Sequence, residues 1–364
     1  MKRALITGIT GQDGAYLTHF LIEKGYEVHG LKRRTSAINI SRMHLLSPLQ
    51  KINPKCLIIH YGDLSDAGQM IQIIQQIQPD EVYNLAAMSH VQVSFEQPTY
   101  TAEINGIGTL HLLNAIKILG LERKTRFYQA STSELFGNSS KAPQSEITPF
   151  FPTSPYAISK LFAHWTTINY RNAYKIFACN GILFNHESPI RGEQFVTRKI
   201  SLSVASIALG LQESLILGNL NAQRDWGHAE DYVKAMWLMM QQNSPSDFVI
   251  ATGISTSVRE FVCKSFEIIG VKLYFEGTGM EEKGYCLSSE NFHYPIQKNR
   301  LLLSVEPQFF RPTDIERLIG DASKARNILQ WSPKRNIDSL IREMVETDLN
   351  HLLKSTKNLN KKYG

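Results

Sequence analysis

Ala4-Leu5-Ile6-Thr7-Gly8-Ile9-Thr10-Gly11-Gln12-Asp13-Gly14-Ala15-Tyr16-Leu17 is the stretch that decides the fold class. A short apolar strand runs into glycines at 8, 11 and 14, and then into a helix on which Leu17, Phe20 and Leu21 repeat at helical spacing. Gly8 and Gly11 let the backbone turn tightly and approach a pyrophosphate, Gly14 lets helix and strand pack closely, and the helix N-terminus offers amide donors and a favourable dipole. Gly25 closes the helix before a second strand over 27–31. The pattern is that of a dinucleotide-binding, Rossmann-type doubly wound α/β sheet.

The residues just after the second strand select the dinucleotide. A site for NAD places a carboxylate there for the ribose hydroxyls, whereas a 2'-phosphate calls for cations. This chain has Lys32-Arg33-Arg34-Thr35-Ser36. Arg33 and Arg34 can bind phosphate in bidentate fashion, so the expected cofactor is NADP.

Strand and helix patterns then alternate as a parallel sheet requires. Strands are expected over 57–61, 81–86, 126–130 and 176–183, with helices over 70–77 and 106–119 and a further helix opened by Pro155. Ligands of such sheets bind beyond the carboxyl ends of the strands, where Asp63, Leu64, Ala86, Ala87, the run Ser131-Thr132-Ser133-Glu134, and Asn185 fall. The expected division is a cofactor domain over 1–184 with a contribution from about 220–252, a smaller substrate-binding region over 185–219 and 253–350, and a disordered polar tail over 354–364.

Composition narrows the function classes. The chain has 364 residues, 43% hydrophobic and 20% charged, enough for a full core in one large or two interlocked domains. Its net charge of +6 is modest and dispersed, which gives no nucleic-acid footprint and suits an anionic small substrate. Cys56, Cys179, Cys263 and Cys286 lack any C-x-x-C spacing, so neither a zinc site nor a disulfide framework is expected. No apolar run approaches bilayer-spanning length, and Thr7 and Gly8 break the first one, so a cytoplasmic protein without membrane contact is expected.

Tyr156 and Lys160 are four residues apart and therefore share one helix face. A lysine charge beside a buried phenol favours phenolate, moving a group with a reference pKa near ~10 toward the working range. Such a pair can take a proton from a sugar hydroxyl.

Together with the glycine turn and the Tyr156/Lys160 pair, four further blocks carry a resemblance. They are Ser131-Thr132-Ser133-Glu134-Leu135-Phe136-Gly137, Gly181-Ile182-Leu183-Phe184-Asn185-His186-Glu187-Ser188-Pro189, Thr197-Arg198-Lys199-Ile200, and Arg224-Asp225-Trp226-Gly227-His228. With them the chain resembles the extended short-chain dehydrogenases/reductases, and within these the nucleotide-sugar dehydratases of the GDP-mannose 4,6-dehydratase type. The similarity runs from Met1 to about Leu349 and is weakest over 281–306.

The resemblance implies an enzyme of the hydro-lyase class that uses NADP without consuming it and acts on a GDP-linked sugar. Oxidising C4 to a ketone acidifies the C5 proton, and water can then leave across C5 and C6. In this scheme Tyr156, assisted by Lys160 and Thr132, takes the C4 hydroxyl proton as hydride leaves. Glu134 removes the C5 proton, and hydride returns to C6. Dehydratases acting on TDP-glucose carry an Asp between the Thr and the Glu; here that position is Ser133, so Glu134 also delivers the proton to the leaving hydroxyl.

For the cofactor, the resemblance adds Thr10, Gln12, Asp13 and Leu85 to Gly8, Gly11, Gly14, Arg33, Arg34, Asp63, Leu64, Ala86, Ala87, Tyr156 and Lys160. For the substrate it implies Ser89, Asn185, Glu187, Arg191, Lys199, Gly218, Arg224, Arg311 and Glu316. It implies no metal, so His186, Glu187 and His228 are read as structural hydrogen-bonding residues. It also implies a homo-oligomer, dimer or tetramer, paired through the helix of Tyr156 and the 106–119 segment, with the loop after Arg34 reaching a neighbour's cofactor site. Two sugars, mannose and a mannoheptose, fit the same catalytic groups. A nucleotide-sugar reductase or epimerase would use Tyr156 and Lys160 without Glu134.

Overall fold

The computed structural model describes residues 1–34, 46, 56–139, 141–310, 313 and 315–363, with side chains described to 355. The chain divides into two compact units. The first comprises Met1–Asn185, Ala229–Gly253 and Ile319–Pro333. The second comprises His186–His228, Ile254–Leu318 and Lys334–Gly364.

The first unit is built on a seven-stranded sheet. Its strands are β1 (Arg3–Thr7), β2 (Glu27–Lys32), β3 (Leu57–Tyr61), β4 (Glu81–Asn84), β5 (Arg126–Ala130), β6 (Ala178–Leu183) and a last strand, Phe248–Ile250. The order is Phe248–Ile250, β6, β5, β4, β1, β2, β3, and every pairing is parallel. Order reverses between β1 and β4, the switch point at which such sheets bind ligands. Against one side of the sheet, Met70, Ile73 and Ile74 of the helix Ala67–Ile77 and Leu112, Leu113 and Ile116 of Gly108–Ile118 enclose Leu5, Val82 and Phe127 in one core. The helix Gln12–Glu23 packs with Ala229–Met240, where the ring of Phe20 stands edge-on to Trp237 at 5.7 Å.

Two expected elements differ in detail. β4 stops at Asn84 rather than at 86, because the amides of Leu85 and Ala86 both turn to the Thr7 hydroxyl at 3.1 Å instead of continuing the ladder. The helix expected over 106–119 is preceded by Pro98–Ala102 and one π-helical turn, Glu103–Ile107, before Gly108–Ile118. Within that turn the Asn105 side chain bonds Met88 through both its groups.

The segment Ile319–Pro333 returns to the first unit, a step with no local sequence signal. Gln144 receives it like a strand partner: its N–H donates to Ile319 O, its O accepts from Asp321 N, and its side-chain Oε1 accepts from Ile319 N, at 2.8, 2.8 and 3.0 Å. A Cβ on Gly320 would lie 2.3 Å from that of Ala251, so only glycine permits this approach.

The second unit holds a four-stranded sheet in the order Val271–Glu276, Lys283–Ser289, Leu301–Val305, Leu215–Leu217, antiparallel except for the last pair. Its core joins Val204, Phe261, Phe266, Leu302, Ile341 and Met344. A capping box, Ser257 with Glu260, starts the helix Val258–Ile268. The last helix of the described residues is Ile337–Tyr363. Leu340, Ile341, Met344 and Val345 anchor it in the core, and no glycine or proline interrupts the chain from Lys334 to Tyr363, so the helix propagates from its packed half.

Among the described residues no helix is long and apolar enough to cross a membrane. None of the four cysteines is in a disulfide, and no group of three or more potential metal ligands is found among the described residues.

Candidate active site

The glycine turn forms as its sequence requires. Gly8 has φ +69°, a left-handed conformation, and a Cβ there would lie 2.8 Å from the Ala86 backbone. A Cβ on Gly14 would come within 2.4 Å of Gly8 O. Gly11 N donates to Gly8 O at 2.8 Å, and Gly11 opens the helix Gln12–Glu23 without a side-chain cap. The turn thus leaves a cradle of bare backbone beside the amides of a helix start.

Beneath it lies a buried polar network. The Thr7 hydroxyl donates to Asn84 Oδ1 at 2.7 Å, and Asn84 Nδ2 donates to Gln129 Oε1 at 2.8 Å and to Thr109 at 3.1 Å. These bonds tie β1, β4, β5 and the helix Gly108–Ile118, so the ends of the central strands are held in register where the ligand face begins. Leu85, Ala86 and Ala87 extend from β4, and exposed Ser89 comes just before the helix Val91–Glu96. Beyond β3, Asp63 Oδ1 accepts from the N–H and hydroxyl of Ser65, and Leu64 is buried against Gly108.

Arg33 and Arg34 leave β2 exposed. Each guanidinium lies over an aromatic ring, Arg33 over Tyr100 and Arg34 over Tyr61 at 6.0 and 5.0 Å. Stacked in this way they keep their charge at the surface after the second strand. The loop after Arg34, expected to reach a neighbouring subunit, lies outside the described residues.

The catalytic candidates come together at the end of β5. Thr132 caps the short turn Ser133–Phe136 by accepting at its hydroxyl from Glu134 N, at 3.2 Å. Glu134 is buried within that turn. The helix Pro155–Tyr174 begins with Ser154 as N-cap, bonded to Ala157 N at 3.1 Å, and with proline in its first turn. Tyr156 and Lys160 are both buried on it. The ammonium of Lys160 donates to Ala130 O at 2.9 Å and lies 6.0 Å from the centre of the Tyr156 ring. Burial pushes Lys160 down to about 8, opposed by the charge of Asp13.

His164, a turn further along, is held at about 4 by burial, opposed by Asp247 and reinforced by Arg171. Because the folded state depresses this pKa below the ordinary 6.5, the unfolded chain binds the proton first as pH falls. Stability is full above pH ~6.5 and falls by about 3 kcal/mol on the way down to pH ~4. Urea unfolding between pH 7 and 4.5 is expected to show a steeper loss in the native protein than in His164→Asn; parallel curves would exclude this origin.

In the second unit, buried Glu187 accepts from the Thr197 hydroxyl at 2.6 Å and lies 3.0 Å from Arg191 Nε. Arg191 also covers the ring of Phe195 at 3.6 Å. Lys199 lies 3.5 Å from the centre of the Phe309 ring, and burial lowers its pKa against the opposing charge of Glu306. Gly218 meets the same residue from below, where a Cβ would lie 2.4 Å from Phe309 O. Arg224 is buried, with Nη1 donating to Ile315 O at 2.7 Å next to exposed Glu316. Arg311 lies outside the described residues. His228 is buried 3.3 Å from Glu343.

A family model described as GDP-mannose 4,6 dehydratase matches residues 5–344. The chain belongs to that family. A GDP-mannose 4,6-dehydratase of Yersinia enterocolitica is 53% identical over 351 residues, 96% of this chain and 94% of that one. The human GDP-mannose 4,6 dehydratase is 53% identical over 347 residues, 95% of this chain and 91% of that one. Among solved structures, dTDP-glucose 4,6-dehydratase of Bacillus anthracis superposes with a TM-score of 0.75 at 20% identity, covering 95% of this chain and 96% of that one, a likeness of fold.

Within the frame of a GDP-mannose 4,6-dehydratase, the first unit brings together the glycine turn, Leu85 to Ala87, Thr132, Glu134, Tyr156 and Lys160. Asn185 Oδ1 is buried there without a hydrogen-bond partner among the described residues. Residues that sequence reasoning missed support this set from behind. Ser94 Oγ accepts from Tyr156 N at 3.2 Å, and Asn105 Nδ2 donates to Ser159 Oγ at 3.0 Å, which in turn donates to Tyr156 O at 2.7 Å. Only the proximity of Asn105 to the helix start at Gly108 could have hinted at it; Ser94 carries no signal at all.

Proposed function

We propose that the protein dehydrates GDP-mannose to GDP-4-keto-6-deoxymannose with NADP as a recycled cofactor. The observation that carries this reading is a carboxylate, Glu134, buried on the turn at the end of β5 beside the helix of Tyr156 and Lys160, in a chain of the GDP-mannose 4,6-dehydratase family. A reductase or epimerase has no use for that carboxylate, and the names of the relatives favour mannose over a mannoheptose.

The tight turn that only glycine permits at Gly8 and Gly14 leaves bare backbone at a helix start, which suits a pyrophosphate, and Arg33 and Arg34 suit a 2'-phosphate. When bound, the nicotinamide supplies a hydride acceptor for C4 and a donor for C6. Tyr156 takes the proton of the C4 hydroxyl, helped by the positive charge of Lys160. Glu134 then removes the C5 proton that the C4 ketone has acidified and passes it to the C6 hydroxyl, which leaves as water; as C6 is reduced, the proton held by Tyr156 is returned to the sugar at C5. In the second unit Lys199 and Arg224 supply cations for the diphosphate, with Arg191 steered by Glu187. In the first, Asn185 offers its buried amide oxygen to the substrate. Incubation with GDP-mannose is expected to give a 4-keto-6-deoxy sugar with no net change in NADPH; net NADPH consumption or an unchanged deoxygenation state would overturn the reading.

Arg34→Ala is expected to weaken NADP binding by about 10- to 100-fold, matching the ~1.5–3 kcal/mol of one charge-assisted phosphate contact, and to leave NAD binding unaffected. Equal losses for both cofactors, read by titration calorimetry, would remove the phosphate role.

The working unit is a homo-oligomer. Ile158, Phe162 and Trp165 form an exposed apolar stripe on the helix Pro155–Tyr174, beside Leu110 of Gly108–Ile118. A second copy of this face is the occupant that the family resemblance names, because a twofold axis sets one apolar patch against its own copy. Trp165→Glu is expected to shift the mass seen by light scattering at micromolar concentration toward the monomer; a native protein that is already monomeric would refute the pairing.

A further inference from the structure

We propose that His164 is a positioning residue for the elimination step, fixing through the Ser131 hydroxyl the turn that carries Thr132 and Glu134 against the helix face that carries Tyr156 and Lys160. The proposal rests on the dehydratase reading above and adds to it a residue that touches neither substrate nor cofactor.

Tyr156, Lys160 and His164 recur at intervals of four and so lie along one face of the helix Pro155–Tyr174. Successive turns of that face grip successive residues at the end of β5. Lys160 Nζ donates to Ala130 O at 2.9 Å, and His164 Nδ1 meets Ser131 Oγ at 3.1 Å. Ser131 N donates to Gly181 O at 2.9 Å, which extends the ladder with β6 by one residue. Thr132 then caps the turn of Glu134. The imidazole is itself fixed: it is 3% exposed, the ring of Phe150 meets it edge-on at 5.1 Å, and its backbone O accepts from Asn180 Nδ2 at 3.3 Å. Kept neutral by burial, it can exchange a hydrogen bond with the hydroxyl without introducing a charge.

The elimination needs Glu134 within reach of the C5 proton, and a displacement of about 1 Å of a reacting group can cost about 100-fold in rate. Hydride transfer depends on Tyr156 and Lys160, which keep their own contacts when His164 is replaced. Loss of the link is therefore expected to act on one step.

The test compares His164→Phe, which keeps a ring of similar size, with His164→Asn, which restores a polar atom near the place of Nδ1, and with Ser131→Ala and the double variant. In single turnover with NADP and GDP-mannose, His164→Phe and Ser131→Ala are each expected to form NADPH absorbance at near native rate. Product should then appear about 10- to 100-fold more slowly, with KM within about twofold of native. The double variant should be no slower than either single one, because both remove the same link, and His164→Asn should recover most of the rate. Should His164→Phe fail to fold by circular dichroism, Ser131→Ala alone carries the comparison. Equal slowing of NADPH formation and product release, multiplicative losses in the double variant, or native rates in Ser131→Ala would overturn the proposal. A native protein that forms no dehydrated product would instead refute the dehydratase reading.

Discussion

Glu134→Gln is expected to separate oxidation from elimination. Glutamine keeps the size and a hydrogen-bonding group of the side chain in its buried turn but removes the base. Tyr156 and Lys160 are untouched, so hydride can leave C4, whereas the C5 proton has no acceptor. Single turnover with GDP-mannose should accumulate bound NADPH absorbance, and the 4-keto-6-deoxy product should form about 10²- to 10⁴-fold more slowly, the usual contribution of a positioned base. Tyr156→Phe should lose both signals, because the ketone that acidifies C5 never forms. A Glu134→Gln protein that dehydrates at near native rate would move the base to another residue.

Gly8→Ala is expected to cost the first unit about 2–5 kcal/mol and to abolish tight cofactor binding. Two effects combine. An alanine at φ +69° bears about 1–2 kcal/mol of conformational strain, and its methyl would press on the Ala86 backbone at 2.8 Å, which adds about 1–3 kcal/mol of overpacking. Gly25 provides the control. Its φ is +81°, but a Cβ there has nothing within 4 Å, so Gly25→Ala should show the strain alone and bind cofactor normally. Denaturant unfolding without cofactor and a titration with NADP read the two effects. If the two alanine variants were equally destabilised, contact with Ala86 would not be what the glycine avoids.

Legibility in the sequence tracked the range of the interactions. The strand, glycine turn and helix of residues 3–23 depend on neighbours in sequence, and their outlines were readable. So was Pro155 at the start of the helix Pro155–Tyr174, where a fixed φ acts locally. The capping of Glu134 by Thr132 was also within reach, at two residues' separation. By contrast, Ser94 beneath Tyr156 and Asn105 beneath Ser159 act across more than fifty residues, and nothing in their surroundings marks them. The hold on Arg224, whose Nη1 donates to the carbonyl of Ile315 91 residues away, was equally out of reach of a local reading.

The late return of Ile319–Pro333 to the first unit has a consequence for biosynthesis. During translation the sheet can pair β1 to β6 early, but Gln144 and Ala251 receive their partners only after the second unit's long middle segment has emerged. The cofactor-binding unit is thus finished near the end of synthesis, and a chain stopped before residue 319 would lack the Trp331 indole, which in the full chain donates to Asp231 O at 2.8 Å. A nascent chain of that length presents an incomplete apolar surface to chaperones and proteases for longer than its early glycine turn would suggest.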